Sequence, residues 1–218
     1  MRLSLYFFIL LFFVGASFSE EVFADEVSWF EVKEDKGIVT PKDSLTIFYG
    51  RTTWNNLSDI IVGDIDLTGY EMMSFTYSER YADLERFFYI WEDVVLEWEF
   101  GISPHFGNQE FWEFHIANNV RWYNFSWDDS VRTTFEFGIG WSQASEVPEV
   151  ETERVDNYTE KGLIFLSFEV TFADPNWEHT EIVLRNHHRS GAWGTIGNID
   201  GGITGGSDSL LIGLRHNF

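Results

Sequence analysis

The segment RNHHRSGAWG, residues 185–194, places two histidines and a serine beside arginine and glycine residues. His188 and Ser190 are two residues apart, and a neutral imidazole near a hydroxyl can take its proton and make the oxygen nucleophilic. Such a pair needs an acidic group to orient the imidazole, and Asp208 follows later in the chain. Whether the three side chains can meet depends on the elements that carry them.

The composition limits where these elements can lie and what they can bind. The chain has 218 residues, which suits one domain. It has no cysteine, so its stability cannot depend on disulfides. A formal net charge of −22 argues against nucleic acid as a partner, because phosphates would be repelled. Aromatic residues make up 18% of the chain, more than a small soluble core needs.

The first residues predict a secretory signal peptide over residues 1–24, followed by a single domain. Arg2 precedes an almost wholly apolar run from Leu3 to Val14, and small residues come next. Cleavage after Ser19 or after Ala24 would suit these small residues. The alternative is an uncleaved anchor, but the apolar run is short for a membrane span.

An exported, acidic and aromatic-rich chain without a second long apolar run indicates a transmembrane β-barrel of the bacterial outer membrane. Such strands alternate apolar and polar residues, as residues 130–142 do: Phe135 and Phe137 flank Glu136. The alternative is a secreted β-sandwich with an aromatic core. The large number of aromatic faces favours the barrel, in which aromatics face lipid and charges pair inside.

We predict eight antiparallel strands, an even number, as a barrel with both termini in the periplasm requires. The strands are predicted at about residues 44–53, 70–79, 95–106, 110–124, 130–143, 162–174, 178–190 and 207–218. We expect outer loops at residues 54–69, 144–161 and 191–206. Residues 25–43 are interpreted as a lead-in, residues 80–94 as a long connection that the pattern does not place, and Glu146–Glu160 as a solvated loop.

The alternation also predicts where the polar residues of the last two strands point. Ile182 and Leu184 are apolar, so even positions of that strand should face lipid, His188 and Ser190 among them. Leu210, Ile212 and Leu214 give the last strand the same even parity, which turns Asp208 outward. We therefore expect a Ser-His-Asp trio on the outer wall near the loop rim. The inward residues His187 and Arg189, and likewise His115, should join an interior charge network.

The C-terminal region carries a family resemblance. The segments HHRSGAWG and GGSDSLLIGLRHNF resemble the last hairpin of PagL-type lipid A 3-O-deacylases, over about residues 180–218. That family has His-x-Ser on the penultimate strand, a Gly/Asn-rich loop and an acidic residue at the start of the last strand. This chain has Gly191 where the family has Asn after the serine, and Asp208 where the family has Glu.

The resemblance implies an outer-membrane serine esterase that removes the 3-O-linked acyl chain of lipid A. Ser190 would be the nucleophile, His188 the base and Asp208 its orienting acid. With glycine after the serine, backbone N–H groups at Gly191 and Ala192 would have to stabilise the oxyanion. The implied partners are lipopolysaccharide and outer-membrane lipid, with no metal or cofactor. The terminal Phe218, on an alternating apolar tail, resembles the signal read by the barrel assembly machinery.

Two other functions remain open from the sequence. The trio could be ordinary polar residues at the rim of a non-catalytic barrel that serves as a structural or adhesive anchor. A small-solute channel is the third hypothesis, although side chains fill the interior of an eight-stranded barrel. The sequence also leaves open whether the barrel is a monomer or a homodimer.

Overall fold

The computed structural model describes residues 30–32, 43–87, 91–123, 125–153, 158–191 and 205–218. The predicted signal peptide lies outside these residues. The described residues form nine strands: β1 (Phe30–Val32), β2 (Asp43–Thr53), β3 (Leu67–Phe87), β4 (Trp91–Gly107), β5 (Phe111–Trp122), β6 (Arg132–Ala144), β7 (Gly162–Ala173), β8 (Thr180–Ser190) and β9 (Gly206–Asn217). Within the same ranges, two short helices lie between strands: α1 (Leu57–Ile61) and α2 (Glu149–Glu153). No helix of the described residues is long and apolar enough to cross a bilayer.

Strands β2 to β9 close into a barrel. Each pairs with its neighbours in the chain, and β2 pairs with β9 from Ser44–Asn217 to Thr53–Asp208. All pairings are antiparallel, so the predicted eight-stranded antiparallel barrel is confirmed. Both Asp43 and Phe218 lie at one end, which we call the terminal end. The opposite end, where β8 finishes and β9 begins, is the loop end.

The two-residue period of the strands determines what faces outward. In β6, Phe135 is 40% exposed and Trp141 is 40% exposed, whereas Glu136 between them is 0% exposed. Successive side chains of a strand point to opposite faces, so the apolar set forms the outer wall and the polar set fills the lumen. This arrangement inverts that of a soluble sandwich and is the one that a bilayer requires.

The interior is a dense charge network. Arg185 contacts Glu99, Glu136 and Glu169, and Arg215 contacts the other carboxylate oxygen of Glu169. Among the described residues the buried arginines are Arg121, Arg185, Arg189 and Arg215, and the buried glutamates are Glu97, Glu99, Glu113, Glu136, Glu151, Glu169 and Glu181. Charged side chains are found buried when they are paired with opposite charges, as these are.

The segment 80–94 departs from the sequence interpretation. We expected a long connection there, but residues 80–87 continue β3 and residues 91–94 begin β4, so the hairpin extends beyond the neighbouring strands. A register shift between Arg80 and Ala82 interrupts the alternation. Beyond it, Leu84 and Val94 pack in a small apolar cluster. The strand β1, within the expected lead-in, pairs with the end of β3.

The loop end is covered by the segment that contains α2. Val150 and Glu151 of this helix are buried, although we expected the acidic run Glu146–Glu160 to be solvated. The burial of Glu151 has a physical cause. Its carboxylate accepts hydrogen bonds from Arg189 Nε at 2.7 Å and from Ser207 Oγ at 2.9 Å. A buried carboxylate with these donors ties the loop to β8 and β9.

Candidate active site

His188 and Asp208 meet on the outer wall near the loop end. They are direct partners in the β8–β9 ladder, and His188 Nδ1 lies 2.9 Å from Asp208 Oδ1. The carboxylate can only accept, so Nδ1 carries the hydrogen and donates it. That tautomer leaves the Nε2 lone pair available as a base, which is the polarity of a Ser-His-Asp triad.

The alternation of both strands puts this pair on the outside. Leu184 on β8 is 47% exposed, and Ile212 and Leu214 on β9 are 55% and 60% exposed. His188 and Asp208 share their even parity with these residues. Directly opposite residues of an antiparallel pair lie on one face, with Cβ atoms about 4.5–5.5 Å apart, so the register alone brings imidazole and carboxylate into contact.

Asp208 faces outward but is shielded from its surroundings. Its exposure is 1%, while the side chain of His188 remains 17% exposed. Asn186 Nδ2 also donates to Asp208 Oδ1, at 3.2 Å. A carboxylate at membrane depth is costly unless donors surround it, and these two neighbours supply them. The imidazole is therefore held by a buried acid while its other edge stays accessible.

Ser190 lies two residues after His188 on the same face, at the last position of β8. Successive residues on one face of a strand are about 6.6 Å apart at Cα. Ser190 is half-buried and pairs with Gly206 on β9 and Ile164 on β7. A Cβ at Gly206 would lie 2.4 Å from the carbonyl oxygen of Arg189, so only glycine fits opposite Ser190.

Of the two backbone N–H groups expected to bind an oxyanion, the structure describes only that of Gly191. Gly191 N–H donates to the carbonyl oxygen of Gly205 at 3.0 Å, which extends the hairpin by one step. It could serve an oxyanion only if this bond opened. Ala192 lies outside the described residues.

Sequence reasoning missed a polar group on the same outer wall. Arg51 on β2 bonds Glu71 of β3 at 2.7 Å, and Tyr49 donates to the other Glu71 oxygen at 2.9 Å. Arg51 is the ladder partner of Leu210, two residues from Asp208. The signal was present, since Leu45, Ile47 and Tyr49 make the odd face of β2 outward, and Arg51 continues that face.

The remaining polar residues of the segment lie inside, as the parity predicted. His187 Nε2 lies 2.9 Å from Glu113 Oε1, and Arg189 binds Glu151. His115 likewise points inward, with Nε2 at 3.1 Å from Glu99 Oε1. The side chains of the segment NHHRS, residues 186–190, therefore alternate between the outer wall and the lumen.

The architecture has known counterparts. The outer membrane enzyme PagL superposes with a TM-score of 0.50 and 14% identity, covering 80% of this chain and 99% of its own. Neisserial surface protein A superposes with a TM-score of 0.47 and 10% identity, covering 81% of this chain and 96% of its own. The chain is an eight-stranded barrel of the outer-membrane type. At these identities the similarity to PagL shows the fold alone. No family model matches the chain, and no curated protein matches it in sequence.

Proposed function

We propose that the protein is an outer-membrane serine esterase that removes the 3-O-linked acyl chain of lipid A. The observation that supports it most is the contact between His188 Nδ1 and a shielded Asp208 on the outer wall, 2.9 Å long. An imidazole hydrogen-bonded to a carboxylate on a lipid-facing surface contributes nothing to a core, and polar groups at membrane depth commonly mark function.

The reaction would follow the double displacement of serine hydrolases. His188 Nε2 takes the Ser190 hydroxyl proton as Oγ attacks the ester carbonyl carbon. The tetrahedral intermediate collapses, the bond to the sugar 3-oxygen breaks, and His188 returns the proton to that oxygen. Water, deprotonated by His188, then attacks the acyl-serine. The bond to Ser190 Oγ breaks, His188 returns the proton to Oγ, and a fatty acid is released. Asp208 stabilises the imidazolium in both halves.

The position of the trio suits a substrate that never leaves the membrane. The acyl chains of lipid A lie in the leaflet that surrounds the loop half of such a barrel. Beside the trio, Ile164 and Leu166 of β7 are the ladder partners of Ser190 and His188. These apolar side chains offer an acyl chain a surface along the wall, and the ester would lie at the rim, where Ser190 is.

The proposed function also implies a cellular location and binding partners. The chain would be exported by its signal peptide and inserted in the bacterial outer membrane, with lipopolysaccharide as substrate. Phe218, whose backbone pairs with Asp43 and whose ring is 54% exposed, would be read by the barrel assembly machinery.

Mass spectrometry of lipid A tests the proposal. The native chain, Ser190→Ala and the matched control Ser130→Ala would be expressed in a bacterium whose lipid A keeps both 3-linked chains. Ser130 is an exposed serine in the β5–β6 turn at the terminal end. The native chain and Ser130→Ala should remove one 3-linked acyl group, and Ser190→Ala should remove none.

Unchanged lipid A from a correctly folded native barrel would contradict the esterase. It would leave the non-catalytic anchor as the function, with His188 and Asp208 as rim residues. Ion conductance through the native barrel in planar bilayers would instead support the channel, which the arginine-filled interior argues against.

A further inference from the structure

Inside the barrel, three side chains form a cluster that the esterase does not use. Glu113 on β5, His115 on β5 and His187 on β8 each offer one ligand atom, and these atoms all lie within 4.8 Å of one another. All three residues are buried, Glu113 at 0% exposure. They lie beneath the loop end, where Arg189 joins Glu113 to Glu151 of α2.

We propose that Glu113, His115 and His187 bind one divalent transition-metal ion of the zinc class. Two imidazoles and one carboxylate are a donor set that zinc uses, and neutral imidazole also suits cobalt and nickel. The proposal is independent of the proposed esterase, because the cluster and Ser190 lie on opposite sides of the barrel wall.

The hydrogen bonds of the imidazoles support this assignment. His187 and His105 direct Nε2 toward Glu113, and His115 directs Nε2 toward Glu99. Their Nδ1 atoms have no hydrogen-bond partner among the described residues. A buried polar atom without a partner costs free energy. Metal-binding histidines commonly direct one ring nitrogen to a carboxylate outside the ligand set and use the other for the metal. His115, with Nε2 on Glu99 and Nδ1 free within the part of the chain that the structure describes, has this arrangement.

The charge balance of the lumen also favours a cation. Among the described residues, seven glutamates are buried against four arginines. The excess negative charge in a medium of low dielectric constant must be neutralised by protons or by a bound cation. A divalent ion at Glu113 would neutralise two of these charges at the point where three histidines converge on glutamates.

The spacing of His187 and Glu113 requires little movement of these two residues. His187 Nε2 and Glu113 Oε1 are 2.9 Å apart. Tetrahedral zinc ligands at about 2.0–2.1 Å from the metal are about 3.3 Å from one another. An ion that replaces the shared proton would open this contact by a few tenths of an ångström, and His115 would close toward it. Binding through His187 Nε2 would release one proton to solvent.

The ion would also have a structural effect. β5 pairs with β4 and β6, and β8 pairs with β7 and β9, so the two strands that carry the ligands do not touch through the sheet. A metal bound to Glu113, His115 and His187 would join them across the lumen. Because binding favours only the folded barrel, the unfolding temperature should rise with metal concentration.

The test uses purified full-length barrel without an affinity tag, stripped with a chelator and titrated with Zn²⁺ and Co²⁺. His187→Gln and His115→Gln would be compared with the matched control His179→Gln, whose side chain is 58% exposed. Bound metal per barrel, the Co²⁺ visible absorption and the unfolding temperature would be recorded for each. Resistance to unfolding in detergent at room temperature verifies that each variant is folded.

We expect one ion per native barrel, a tetrahedral Co²⁺ spectrum, and the same for His179→Gln. Each cluster variant should bind at least about tenfold more weakly, as losing a ligand or its support commonly does. Absence of stoichiometric binding to the folded native barrel would overturn the proposal and assign the charge balance to protons alone. Binding that survives in both cluster variants, or that disappears with His179→Gln, would also overturn it by placing the ion on the surface. Neither result bears on hydrolysis at Ser190.

Discussion

His187 and His188 are consecutive residues with opposite environments. His187 is 2% exposed, contacts Glu113 and lies edge-on to Phe165 and His115, inside the barrel. His188 points to the outer wall, with one carboxylate partner and a side chain 17% exposed. Successive side chains of a strand point to opposite faces. His187 therefore lies in the interior network, whereas His188, the next residue, lies at the candidate active site.

The two faces differ in the kind of partners that hold each charge. In the lumen, Arg185 contacts three glutamates and stands over the Phe48 ring at 4.4 Å. On the outer wall, Asp208 has His188 and Asn186 as hydrogen-bond partners. We infer that the lumen supports the fold and that the outer wall supports chemistry, so substitutions on the two faces should separate stability from activity.

The largest effect should come from His188→Ala. Loss of the base should lower lipid A deacylation by about 10⁶-fold, as removal of the triad histidine does in a serine protease. The unfolding temperature should fall less than in Arg185→Gln, because Asp208 loses one donor but keeps the hydrogen bond from Asn186. Initial rates in mixed micelles and thermal unfolding would be measured together. Loss of folding along with activity would contradict the division of the two faces.

Arg185→Gln should produce the opposite result. Removing one partner of a buried ion network costs about 3–5 kcal/mol, because Glu99 is left buried without its arginine. Glu169, in contrast, keeps Arg121 and Arg215. Denaturant unfolding would give this value, and the hydrolysis rate per folded molecule should stay near that of the native chain. A normal unfolding free energy would show that the lumen network does not stabilise the barrel.

A smaller effect is expected for Asn186→Ala. Its amide donates to Asp208 at 3.2 Å, and a hydrogen bond to a charged group contributes about 1.5–3 kcal/mol. We expect kcat to fall by about tenfold, because Asp208 then positions His188 less firmly, and its pH profile to shift. Activity restored by Asn186→Gln would identify the amide as the cause. An unchanged rate would mean that the Asn186 amide does not help to position Asp208.

The smallest effect should come from Arg51→Gln. Arg51 is 46% exposed on the outer wall, so screening weakens its interactions. If it contacts the anionic headgroup of the substrate, KM should rise a few-fold with kcat unchanged, and added salt should narrow the difference from the native chain. A fall in kcat at constant KM would instead link Arg51 to the chemical step.

The alternation in the sequence was enough to predict the eight barrel strands and the outward parity of His188, Ser190 and Asp208. It could not predict the long β3–β4 hairpin, because the register shift after Arg80 breaks the period there. Alternation tells which face a residue occupies but not which residue it meets across the lumen. The sequence therefore could not predict that Glu113 contacts His187 or that Glu151 is buried.

The most direct test of the outer site is covalent labelling with a lipid-tailed fluorophosphonate, which reacts with activated serines. The native barrel and the folded Arg185→Gln variant should each take up one label at Ser190. Ser190→Ala should take up none, and His188→Ala and Asp208→Asn should label at least about 10²-fold more slowly, because the hydroxyl is then no longer deprotonated. Labelling of Ser190 at equal rates with and without His188 would contradict the account, as would a folded native barrel that takes up no label.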